Sequence, residues 1–228
     1  MINRKIESEL QNFLRDEKKK ALLVTGARQV GKTYSIRAFG QQNFRSFVEI
    51  NFIENAAAKE LFQNAKNSRD LLLRLSLVAD ADLIPGETLI FLDEVQECRA
   101  IVTAIKFLVE EGSYRYILSG SLLGMELKDI RSVPVGYMDI VEMVPLDFEE
   151  FVLANKVSPR IIEVLREAFE KKITVDPVIH EKMMELFRLY LIVGGMPAAV
   201  EHYLNSNNLR EVIRIQQSII DLYKKDIA

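Results

Sequence analysis

VTGARQVGKTYSI, residues 24–36, carries a glycine, four intervening residues, a second glycine, then lysine and threonine. That spacing has a mechanical meaning. Glycines at 26 and 31 admit backbone angles that turn successive N–H groups inward around an anion. A helix opening at the second glycine brings its own unpaired N–H groups and its dipole to the same point. Lys32 then sets an ammonium between β- and γ-phosphates, and Thr33 offers a hydroxyl to Mg²⁺. The stretch predicts a phosphate cup formed by Gly26, Ala27, Arg28, Gln29, Val30, Gly31, Lys32, Thr33 and Tyr34. A glycine turn without a ligand is the bland alternative. The flanks argue against it, because ALLVTG reads as a buried strand running into the loop, and a helix is expected from about Gly31 to Phe39.

Further along, TLIFLDE (88–94) is an apolar strand closed by two acids. Ligands in open α/β sheets gather at the C-terminal ends of strands. Asp93 is therefore placed to hold Mg²⁺ with Thr33, and Glu94 to orient and polarise a water attacking the γ-phosphate. Strands ending in acids also occur at ordinary loop entries, so the upstream cup gives this pair its meaning. A small-molecule kinase needs the metal-holding aspartate and a second substrate pocket, whereas the extra base favours hydrolysis. YRYILSGS (114–121) ends on Ser119 and Ser121, candidates to sense the γ-phosphate or the attacking water. The alternative is that one of them caps the following helix.

Two more strands are expected at FRSFVEINF (44–52) and GYMDIVEMVPL (136–146), with helices over about 2–18, 54–63, 68–79 and 99–110. The first helix carries Ile2, Ile6, Leu10, Phe13 and Leu14 on one stripe. From Asp147 onward every segment reads as helix: about 147–154, 159–172, 177–193, 196–204 and 208–225. Asp147 with Glu150 forms a capping-box pattern, and Ser158-Pro159 and Asp176-Pro177 each pair an N-cap with proline at the first helical position. Strands alternating with helices imply an α/β fold, a parallel sheet covered on both faces, over 1–146. Residues 147–228 are expected to form an all-helical appendage.

The formal net charge is -3, which removes whole-chain basicity as an argument for nucleic acid and leaves only a local cluster at Lys18, Lys19 and Lys20. Cys98 is the single cysteine, so no internal disulfide forms, which fits a reducing compartment. No apolar run reaches membrane-spanning length, and MINRKIESEL has no apolar signal region, so a cytoplasmic, membrane-free protein is expected. His180 and His202 have no cysteine or acid at metal spacing and are assigned nothing.

With these motifs in place the chain resembles the AAA+ ATPases. It is similar to a prokaryotic group with GARQVGKT in the phosphate loop, FLDEVQ in the acidic strand, a GS turn, PLDFEEF and a later GGMP. Those stand here at Gly26–Thr33, Phe91–Gln96, Gly120–Ser121, Pro145–Phe151 and Gly194–Pro197. The resemblance implies a five-stranded parallel sheet in the order 5-1-4-3-2 with a helical lid, ATP in preference to GTP, and Mg²⁺-dependent hydrolysis driving a conformational switch. A nucleotide-gated regulator or scaffold with little turnover is the alternative. Members often carry GR before the PL segment. Here Gly136-Tyr137 stands in its place, so that arginine finger is not carried over. Arg131 is the nearest candidate to reach a neighbouring subunit in a homo-oligomer. Members also tend to continue into a second C-terminal domain, which this chain is expected to lack. Whether the partner is protein or DNA stays open.

Other candidates carry two readings each. Arg28 touches phosphate or is solvated. Arg188 is a second sensor or a surface residue on a helix whose apolar face is read as Met183, Met184, Phe187, Tyr190 and Leu191. Asn51 ends its strand at the correct sheet edge, or simply makes a turn. Gly194, Gly195 and Pro197 end one helix and start the next. Leu209, Val212, Ile213, Ile219, Ile220 and Tyr223 are expected on one face of the last helix.

Overall fold

The computed structural model describes residues 2–63, 67–121 and 136–227. In chain order these form α1 (Ile6–Arg15), β1 (Ala21–Gly26), α2 (Lys32–Asn43), β2 (Ser46–Asn51), α3 (Ala56–Gln63), α4 (Ser68–Val78) and β3 (Thr88–Asp93). A 3-10 turn (Val95–Glu97), α5 (Arg99–Glu111), β4 (Arg115–Ser121) and β5 (Met138–Glu142) follow. The remainder is α6 (Phe148–Ala154), α7 (Pro159–Lys171), α8 (Pro177–Val193), α9 (Pro197–Ser206) and α10 (Leu209–Ile227).

The five strands make one parallel sheet in the order β2-β3-β4-β1-β5, which is the expected 5-1-4-3-2 read from the other edge. Burial follows position. The inner strands β1 and β3 are buried at every residue, as parallel strands covered on both faces must be. The outermost strands β2 and β5 alternate or face outward. Successive side chains point to opposite faces, which sorts the core into two layers. Leu23, Ile50, Ile90, Leu92 and Leu118 pack with Phe62, Leu71, Leu75, Ile101 and Ile105 from α3, α4 and α5. On the other face, Gly40 of α2 lies against Phe47 and Leu89, and Phe39 meets Phe13 of α1 edge-on at 6.4 Å. Arg115 closes the C-terminus of α1 by donating to the carbonyls of Phe13 and Asp16.

The chain divides into two compact units, Ile6–Met143 and Met1–Lys5 together with Val144–Ala228. The first helix is therefore shorter than the expected 2–18. Ile2 packs with the helical unit around Leu146 and Val212, and residues 2–5 are not helical. The cause is electrostatic. Arg4 Nε donates to Glu150 Oε1 at 3.1 Å, and the main-chain N–H of Lys5 donates to the same oxygen at 2.7 Å. The Glu150 Oε2 accepts from Asp147 N, completing the capping box at the start of α6.

Lys5 also donates to Asp147 and Glu149. Burial works to raise the Asp147 carboxyl, but the Glu150 N–H and Lys5 outweigh it and hold it below its ordinary value. The Lys5 hydrogen bond lowers Glu149 as well. Depressed carboxylates stabilise the fold above their unfolded range and lose that contribution as pH falls below it. Lys5→Met is expected to flatten the loss of helical-unit stability below about pH 4 in urea titrations across pH.

Two readings of helix faces are corrected. On α8 the inward residues are Met183, Leu186 and Val193, with Tyr190 partly buried, while Met184, Phe187 and Leu191 are exposed. On α10 Val212 and Ile219 are buried, but Ile213 and Ile220 are exposed. Gly194 does end α8 and Pro197 does open α9. Gly195 has a second reason to be glycine: a Cβ there would sit 2.1 Å from the Leu146 carbonyl oxygen, whose residue also donates its N–H to Gly195 O at 2.7 Å.

Candidate functional site

Strand register brings the predicted residues to one edge of the sheet. Gly26 at the end of β1 lies beside Ser121 of β4, and Asp93 at the end of β3 lies beside Asn51 of β2. After Gly26 the loop turns through Gln29 (φ 64) and Gly31 (φ 98) into α2 at Lys32. Gly26 itself has φ 147, and a Cβ there would stand 2.1 Å from the Met143 carbonyl oxygen, so the loop leaves the sheet where no side chain fits. Val30 is fully buried and anchors the loop, while Ala27 and Arg28 are half-buried and Gln29 is exposed. Tyr34 is 59 % exposed and packs little.

Lys32 is buried, and its Nζ donates to the carbonyls of Gly26 and Ala27, both at 2.9 Å. Burial lowers its pKa, opposed by the charges of Glu94 and then Asp93. Asp93 is the hub of the site. Its Oδ2 accepts from Thr33 Oγ1 at 3.0 Å and from Asn51 Nδ2 at 3.3 Å; its Oδ1 accepts from Ser119 Oγ and from the Glu94 N–H at 3.1 Å. Burial pushes its carboxyl up, against the Ser119 and Thr33 hydrogen bonds, and the net direction is upward. A buried carboxylate of this kind favours a cation beside it.

The donor set suits Mg²⁺. Thr33 and Asp93 supply a hydroxyl and a carboxylate in direct contact, and Mg²⁺ binds through one or two carboxylates, waters and substrate phosphates rather than an all-protein cage. Among the described residues no group of three or more His, Cys, Asp or Glu side chains is placed to hold a metal ion.

Glu94 has left-handed backbone angles, φ 58 and ψ 47, and opens the 3-10 turn. Ser121 is buried, and its N–H reaches the Gln96 side chain. The suggestion that a serine caps the next helix lies outside the described residues, as does Arg131. Tyr137 donates its hydroxyl to Glu110 at 2.6 Å. Arg188 is exposed on α8 in the helical unit. Lys20 is paired with Asp139 at 2.7 Å, which takes one charge out of the lysine cluster.

Two contributors were undervalued by sequence reasoning. Asn51 makes the expected turn, accepting from the N–H groups of Ile53 and Glu54, and also donates to Asp93. Gln96, visible beforehand only as the last letter of FLDEVQ, contacts Glu94. In both cases the signal was a polar residue next to a motif, and its use depends on which strand end lies alongside.

A parallel sheet in this order, with a glycine loop entering a helix at one strand end and an acid hydrogen-bonded to the loop threonine, defines the phosphate-loop nucleotide-binding class. Within it, the family model described as AAA domain matches residues 18–152, more than half of the chain, and the chain belongs to that family. Residues 184–228 match a family described as a domain of unknown function. No curated protein matches. Similar solved structures include Drosophila ORC bound to DNA (15% identity, 94% of this chain and 66% of that one, TM-score 0.47) and C. elegans PCH-2 (12%, 94% and 63%, 0.47). Another is Cdc6p from Pyrobaculum aerophilum (16%, 68% and 50%, TM-score 0.41). The chain thus spans from half to just under two thirds of the length of these solved chains.

Proposed function

We propose that this AAA-family chain binds ATP with Mg²⁺ and hydrolyses it, the cycle driving a conformational switch. The Thr33–Asp93 hydrogen bond carries the reading, because it joins the phosphate loop to the acidic strand at one point. Lys32 exchanges its loop carbonyls for the β- and γ-phosphates. Thr33 and Asp93 would hold Mg²⁺, which would supply positive charge against the phosphates. Glu94 orients a water and takes its proton as the oxygen bonds to the γ-phosphorus and the bond to the β–γ bridging oxygen breaks, leaving ADP and phosphate. Ser119 keeps Asp93 in place from the strand between loop and acid, and with Ser121 is the candidate for sensing the γ-phosphate.

A slow, nucleotide-gated regulator or scaffold is the second reading, favoured by Tyr137 where the related group carries arginine; a trans-supplied cation raises turnover by about 10³ or more. That arginine would come from another copy of the chain or from a partner, protein or DNA-associated. Among the described residues no helix is long and apolar enough to cross a membrane, and we place the protein in the cytoplasm.

Phosphate release from ATP over many turnovers tests the choice: sustained release supports hydrolysis, and tight binding without release at high protein concentration selects the regulator. Lys32→Ala is expected to weaken ATP binding by about 10- to 100-fold in calorimetry, the loss of a charged hydrogen bond to phosphate.

A further inference from the structure

The 3-10 turn that follows the acid pair contains Gln96, which the scheme above leaves unused. Its side chain is held at both ends. Nε2 donates to Glu94 Oε2 at 2.5 Å, and Oε1 accepts from the main-chain N–H of Ser121 at 3.4 Å. The partners determine which way the amide faces: a backbone N–H only donates and an ionised carboxylate only accepts, so the flipped amide would meet both wrongly. Ser121 is buried at the end of β4 beside Gly26, so the anchor is part of the rigid sheet edge next to the phosphate loop.

Glu94 depends on such a hold. It sits at the strand exit in left-handed angles that side chains other than those of glycine and asparagine seldom adopt, a conformation that surrounding structure must enforce. Its own rotatable bonds otherwise leave the carboxylate a wide arc. Gln96 joins the Glu94 carboxylate to Ser121, which lies beside Gly26 in the sheet, so the held carboxylate stands at the phosphate-loop end of the strands.

We propose that Gln96 is a positioning residue: its amide holds the Glu94 carboxylate toward the phosphate loop and fastens that hold to the end of β4. The proposal rests on Glu94 being the base of the proposed hydrolysis. A base displaced by about 1 Å costs on the order of 10²-fold in rate, so the tether is worth a comparable factor.

The test compares wild type, Gln96→Met, Gln96→Glu, Glu94→Gln and the double variant Glu94→Gln/Gln96→Met, with ATP and Mg²⁺ as probe. Gln96→Glu keeps an acceptor for Ser121 but sets a like charge against Glu94; Gln96→Met removes both contacts. Both are expected to lower kcat by about 10- to 100-fold with KM for ATP unchanged. Adding Gln96→Met to Glu94→Gln is expected to cost nothing more, because nothing remains to be positioned. If Gln96→Glu turns over like wild type while Gln96→Met is impaired, the amide only braces β4 and the proposal is overturned. Additive losses in the double variant overturn it too. Gln96 variants as active as wild type, beside an inactive Glu94→Gln, overturn the positioning role and leave the hydrolytic reading standing. Wild-type turnover no faster than that of Glu94→Gln overturns both.

Discussion

Glu94→Gln is expected to lower the turnover number for ATP by about 10²- to 10⁴-fold, the usual contribution of a positioned general base, and to leave ATP binding intact. The side chains are nearly isosteric. The amide retains an oxygen that accepts from Gln96, and the left-handed turn is no worse for glutamine than for glutamate. The difference is chemical, since an amide takes no proton from water. Asp93, Thr33 and Lys32 are untouched, so the ligand contacts persist. Single-turnover phosphate release beside ATP affinity checks this. A parallel collapse of affinity would mean that Glu94 holds the ligand or the loop rather than the water.

The second large effect is on stability. Arg4 and Glu150 have side chains only 8% and 6% exposed, and Glu150 also accepts from the N–H groups of Lys5 and Asp147. Glu150→Ala removes the carboxylate that Arg4 Nε and the N–H groups of Lys5 and Asp147 share, while the Arg4 guanidinium keeps its bond to the Val144 carbonyl at 2.6 Å. Breaking a buried ion pair from one side costs about 3–5 kcal/mol. The urea midpoint of the helical unit is expected to fall accordingly, with amide exchange accelerating first in α6. Arg4→Met combined with Glu150→Leu should recover part of the loss, because an apolar pair carries no desolvation cost. Full stability in the single variant would show that water reaches the pair.

Most of the sheet was legible because its signals are local. The buried runs ALLVTG and TLIFLD carry their own apolar character, and Gly26 and Gly31 sit where the backbone turns. The loop–acid partnership was legible because two short motifs imply each other. The helix faces in the helical unit were harder. PVIHEKMMELFRLYLIV is apolar almost all round, so only the packed neighbours choose Leu186 over Leu191. Asn51 and Gln96 were underread for a different reason. Their meaning comes from a strand or turn paired across the sheet, and pairing register is not written in either residue's own neighbourhood.

The N-terminal segment carries a consequence for synthesis. Arg4 leaves the ribosome well before Glu150, its acceptor, which follows 146 positions later. The intervening α/β unit can be complete once Met143 has emerged, and domains made first tend to fold first. Residues 2–5 thus wait, unplaced, through the folding of everything between, and settle only when α6 arrives.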